Sequence, residues 1–249
     1  MKKILITSVF VCFIFSFSSS AYAESLTVDQ VIYEPSIGLN ANFLTATVSI
    51  SQGLLTNQFS LTVSNTSLFP SGISGIGNVP AVFTLTGVGF DLPSGYNIFN
   101  GSVLSNFYHL VSNNPNQQWG FDNSPPVSGP FANVATIAAN TVVSTLEASV
   151  ATPFSSGGSI PIDGPKGGIA PTAYLSSYPG SWDYFDGTAV FLFTLSRDIT
   201  DWTQFASDMQ AGDTVVAFGS PTAVPEPATL LLLGTGLIGL WGFRRKFKK

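Results

Sequence analysis

The chain has 249 residues, of which 9% are charged and 45% hydrophobic, with a formal net charge of −5 at pH 7. Seven of the nine basic residues fall within the first three or last six positions, so residues 24–223 hold only Lys166 and Arg197 against thirteen acids, a formal charge of −11. That balance excludes a nucleic-acid partner, because phosphate binding needs a basic footprint.

At the N-terminus, Lys2 and Lys3 precede an apolar stretch from Ile4 to Phe17, then three serines and Ala21-Tyr22-Ala23. A charged start, an apolar centre and the small residues Ala21 and Ala23 are the three parts of a secretory signal peptide. Residues 1–23 are therefore expected to form a signal helix, engaged by the Sec translocon and cut by signal peptidase after Ala23. Cys12, the chain's one cysteine, lies inside this segment. The mature protein then has no disulfide, no thiolate nucleophile and no Cys-ligated metal, and must rely on its own core. Residues 24–219 suffice for one such core.

Their periodicity is mostly two. Ala46, Val48 and Ile50 alternate with Thr45, Thr47 and Ser49; Phe59, Leu61 and Val63 alternate with Ser60, Thr62 and Ser64; Phe83 and Leu85 interleave with Thr84 and Thr86. These patterns predict half-buried strands. Further strands are expected over 26–33, 101–111, 141–150, 188–195 and 213–218, where β-branched and aromatic residues abound. Ala189-Val190-Phe191-Leu192-Phe193 is apolar on both faces and reads as central. Residues 115–130 and 153–179, rich in Pro, Gly and Ser without alternation, read as long loops. One short helix is expected after Asp201, which can cap it with Gln204 three residues on, leaving Trp202, Phe205 and Met209 on one side. Many short strands, little helix and no βαβ pattern predict an all-β fold, an antiparallel β-sandwich with jelly-roll-like topology. No repeat of fixed period is present.

Residues 220–224 read as a linker. Beyond it, Pro225-Glu226-Pro227 leads into sixteen uncharged residues from Ala228 to Phe243, closed by Arg244, Arg245, Lys246, Lys248 and Lys249. As a helix, 228–243 rises about 24 Å against a hydrocarbon core of about 30 Å, a short transmembrane segment. The basic end holds the C-terminus in the cytoplasm, and the prolines stop the helix at the outer boundary. This order of triplet, apolar run and Arg244-Arg245 cluster resembles the PEP-CTERM sorting signal of Gram-negative bacteria, over residues 225–249. The resemblance implies processing by an exosortase, a membrane protease that cleaves near the triplet and releases or transfers the exported body. The same terminal module also carries a label borrowed from ice-binding proteins.

Chemistry in the body is sparse. His109 is the single histidine, so a histidine-rich metal site is excluded, and no G-x-S-x-G elbow surrounds a serine. Asp183 and Asp186 stand three apart in Trp182-Asp183-Tyr184-Phe185-Asp186-Gly187, as do Asp198 and Asp201. Turn and cap roles, a Ca2+ site and a paired-carboxylate site all fit such spacing. Trp182, Tyr184, Trp119 and Tyr178 would stack on sugar rings if their faces were exposed, or plug the core if not. No cofactor or metal motif is present. The expectation is a non-enzymatic, exported surface or matrix protein, structural or adhesive, held briefly in the inner membrane and associated with exopolysaccharide or biofilm. A secreted carbohydrate-binding module or glycoside hydrolase is the alternative, and ice binding, which needs a flat, regularly spaced Thr face, a third.

Overall fold

In the computed structural model, residues 23–32, 41–68, 83–105, 115–123, 139–145, 152–154, 167–172 and 184–219 are described. They form two β-sheets and one α-helix. The first sheet contains β1 (Glu24–Leu26), β3 (Ala46–Gln52), β4 (Gln58–Asn65), β12 (Thr188–Leu195) and β6 (Ile98–Val103) in the order β1-β3-β4-β12-β6, every pair antiparallel. Its register follows from the period-two pattern: Ile50 and Phe191 both lie opposite Leu61, and Val48 and Ala189 both lie opposite Val63, so the apolar residues share one face. The other face is hydroxyl-bearing and solvent-accessible, with Ser49, Thr62 and Val190 aligned across β3, β4 and β12. β12 is central, as expected. Its outward Val190 and Leu192 are nevertheless half-exposed, because no described element packs on this face as the core packs on Phe191 and Phe193.

The second sheet is built around β5 (Leu85–Phe90). β13 (Thr214–Phe218) pairs along one edge, and β8 (Thr141–Thr145) along the other, with β10 (Ile169–Ala170) meeting Leu85. β7 (Trp119–Asp122) and β9 (Thr152–Pro153) extend it beyond β8. β11 (Phe185–Asp186) joins β10 and β2 (Gln30–Ile32) joins β13, both in parallel, so this sheet is mixed where an antiparallel one was expected.

Several expectations are corrected here. β5 is buried on both faces, and its Thr86 is tolerated inside because its hydroxyl donates to the carbonyls of Ala217 and Gly219 at 3.3 and 2.8 Å. The strand expected over 26–33 is two strands on different sheets. Between them the Asp29 amide donates to the Thr214 carbonyl and its carboxylate accepts the Thr214 amide, which moves the chain across. The expected loops 115–130 and 153–179 contain β7 and β10, strands too short and too fully buried to alternate.

The sheets meet through aromatic rings. Phe59 of β4 lies 5.2 Å from Phe193 of β12, 6.3 Å from Phe90 of β5, and 5.7 Å from Phe205 of α1 (Trp202–Ala211). Phe154 covers the first sheet at Gly101, where any side chain would enter its ring. The free edge of β6 is closed by side chains flanking β7: Asn116 accepts the Val103 amide, and Asn123 both accepts from the Ile98 amide and donates to its carbonyl. This is a substitute for a neighbouring strand. Opposite β12, Phe99 is an extra residue in the register, a bulge that leaves it 78% exposed.

α1 begins where expected. The Asp201 carboxylate accepts the Gln204 amide at 3.1 Å, and Phe205, Ala206 and Met209 are buried against the core while Trp202 is half-buried. The Gln204 side chain, however, turns forward to Asp208 at 2.7 Å, one turn along the helix face. Among the described residues no helix is long and apolar enough to cross a membrane. The signal segment 1–22, the linker and the transmembrane segment 228–243 lie outside the described residues; Ala23 is exposed, immediately before β1.

Candidate functional site

The Trp182–Gly187 motif is mainly architectural where it is described. Tyr184 is only 1% exposed and Phe185 is fully buried, with the Phe185 ring 6.2 Å from Trp119. The Phe185 amide donates to the Gly168 carbonyl and the Gly187 amide to that of Ala170, tying β11 to β10. Gly187 then takes φ +66°, and a Cβ there would collide with the Thr172 hydroxyl, so the chain can turn into β12 only through glycine. Asp186 is exposed on the turn. Burial removes the Tyr184 face from any contact with a sugar ring. Trp182 and Asp183 lie outside the described residues, as do His109, Lys166 and Tyr178.

Trp119 is likewise inside. It is fully buried, packs 4.8 Å from Phe191, and its indole N–H donates to the Gly167 carbonyl at 2.7 Å. The second aspartate pair divides into a cap and a turn: Asp201 caps α1, and Asp198 accepts the Thr56 hydroxyl at 2.8 Å. Arg197 stands over the Tyr96 ring at 3.9 Å and donates to the Ser94 carbonyl. Among the described residues no group of three or more His, Cys, Asp or Glu side chains is placed to hold a metal ion.

Two features escaped the sequence reading. Asn65, at the end of β4, is 5% exposed; its amide donates to the carbonyls of Phe83 at 2.6 Å and Ile169 at 2.7 Å and accepts the Ser67 amide. An asparagine closing an alternating strand was the available signal, but its partners are distant in sequence. The second is alignment. Serines and threonines read strand by strand as the polar halves of amphipathic strands come into rows only when the register is known.

The strongest functional signal remains the C-terminal segment. Pro225, Glu226, Pro227, Arg244 and Arg245 lie outside the described residues. No curated protein and no solved structure matches the chain. Residues 223–246 match the family model of the PEP-CTERM protein-sorting motif. That span contains the Pro-Glu-Pro triplet, the apolar run and the first three basic residues after it. The chain thus carries a PEP-CTERM sorting signal, which marks it as an exported protein addressed through the inner membrane to an exosortase and onward to the cell surface or beyond.

Proposed function

We propose that the protein is a non-enzymatic structural or adhesive component of the cell surface or extracellular matrix, associated with exopolysaccharide or biofilm. Its body is a β-sandwich of one antiparallel and one mixed sheet, with jelly-roll-like crossings. Successive strands from β4 to β7 alternate between the sheets, as do β12 and β13, and rings from both sheets share one core. Residues 1–23 direct secretion, and residues 228–243 anchor the precursor in the inner membrane of a Gram-negative cell until an exosortase cuts near Pro225-Glu226-Pro227.

The sorting-motif match at 223–246 carries this reading. The acidic, cysteine-free composition of residues 24–223 supports it, as does the use of Tyr184, Trp119, Asp198 and Asp201 for packing, turns and caps. The triplet puts a rigid, non-helical peptide at the outer edge of the bilayer, within reach of a membrane protease. Its replacement by three alanines extends the helix outward while leaving hydrophobicity nearly intact. That variant is expected to stay in the inner membrane at full post-signal length, whereas the parent loses its tail and moves outward. Mass spectrometry of the C-terminus, with fractionation of hosts with and without an exosortase, decides the matter. The same untrimmed mass in both hosts would reduce the tail to an ordinary anchor.

A further inference from the structure

The outward face of the first sheet is a neutral island on an acidic protein. One row runs Ser25, Ser49, Thr62 and Val190 across four strands; the next runs Ser51, Ser60, Leu192 and Ser102. Every one of these side chains is exposed or half-exposed. No Asp, Glu, Lys or Arg occupies an outward position of β3, β4 or β12, although residues 24–223 carry a formal charge of −11. Among the described residues, Asp29 accepts the Thr214 amide and Asp91 the amides of Asn140 and Asp213, away from this face, and Asp198 and Asp201 lie around the start of α1.

Adjacent hydroxyls on this face hold each other. Ser51 and Ser60 are 2.6 Å apart, and Ser64 and Thr188 are 2.8 Å apart. A hydroxyl has one proton and two lone pairs, so each pair spends one proton and retains one, with lone pairs to spare, for an outside partner. Holding the side chains in place beforehand lowers the entropy cost of binding. Val190 and Leu192, half-exposed between the hydroxyls, add apolar area that matches the C–H face of a sugar ring.

The geometry points to this face as the docking surface for a neutral polysaccharide, an inference that rests on the matrix-protein reading above. An anionic polymer meets an acidic body with no cation on the face. A cationic one finds its partners at the strand ends instead. An apolar partner would strip water from the hydroxyls without replacing their hydrogen bonds. A neutral polyol satisfies the donors and acceptors, covers the aliphatic strip and requires no charge. Strands spaced about 4.8 Å apart present these groups in rows that an extended chain can follow across the sheet.

The test uses the full chain in detergent micelles and native gels containing the neutral polysaccharide fraction of the producing cell's own matrix, freed of acidic polymers by anion exchange. Alginate gels serve as the anionic control. The parent is expected to be retarded in the neutral gel and not in alginate. Thr62→Lys is expected to weaken retardation at least tenfold, as is the combined Ser60→Ala, Thr62→Val, Ser64→Ala variant, while Gln204→Lys on α1 binds as the parent does. Circular dichroism melts establish that each variant is folded. Absence of retardation in the neutral gel, equal retardation of the parent and both folded face variants, or equal retardation of the parent in alginate would overturn the proposal. C-terminal mass from the same cells separates the two readings: a trimmed tail without glycan binding removes only this inference, and an untrimmed tail with glycan binding removes only exosortase processing.

Discussion

Asn65 offers the most discriminating test of how the two sheets are joined. Its amide reaches from β4 to the carbonyls of Phe83 and Ile169 and receives the Ser67 amide, three buried hydrogen bonds from one side chain. Asn65→Ala removes all three. At about 1–3 kcal/mol for each buried polar group that loses its partner, the loss is about 3–9 kcal/mol, a large share of the roughly 5–15 kcal/mol that holds a domain folded. Asn65→Asp is sharper because its effect depends on pH. An ionised carboxylate would set its lone pairs against two carbonyl oxygens, whereas the protonated acid restores one donor. Its folded pKa is therefore raised above the ordinary value of about 3.9. The folded state then binds more protons than the unfolded state. Stability relative to the parent must fall as pH rises from about 4 toward that folded pKa, by up to about 1.4 kcal/mol per pH unit, and level off beyond it. Urea titrations followed by fluorescence of buried Trp119 measure both effects. A cost below about 1 kcal/mol for Asn65→Ala, or an Asn65→Asp profile parallel to the parent's from pH 4 to 7, would show that the clamp does not join the sheets energetically.

Two further stability tests address local geometry. Asp201→Ala should cost about 1 kcal/mol by removing the acceptor for the Gln204 amide, with Asp201→Asn recovering most of it in the same thermal unfolding assay. Gly187→Ala should cost at least about 2 kcal/mol, combining the left-handed backbone with the collision at Thr172; adding Thr172→Ala should recover the collision but not the backbone part, as a double-mutant cycle by urea denaturation can read.

Much of this protein was legible as a string of residues because its decisive signals are local. The tail needs only order: a helix-breaking triplet, a run of apolar residues and a basic stop lie next to one another, and the family match falls on that segment. The Asp201 cap spans three residues, and β3 and β4 announce themselves because a strand with one buried face must alternate. β12 was even placed with its observed bounds, Thr188–Leu195.

Tertiary structure decided what depends on partners far along the chain. β5 alternates at Leu85-Thr86 like a half-buried strand yet is buried on both faces, β7 is too short to show a period, and Trp119 looks the same in a sequence whether it stacks on a ligand or on Phe191. Tyr184 and Asp186 are two residues apart, yet one lies in the core and the other in solvent. The division of 26–33 between two sheets required the Asp29–Thr214 contact, which spans 185 positions. The neutral hydroxyl face is the plainest case: each strand specifies that its polar residues point outward, but only antiparallel register brings Ser49, Thr62 and Val190 into one row, because pairing is set by contacts between strands and not within them.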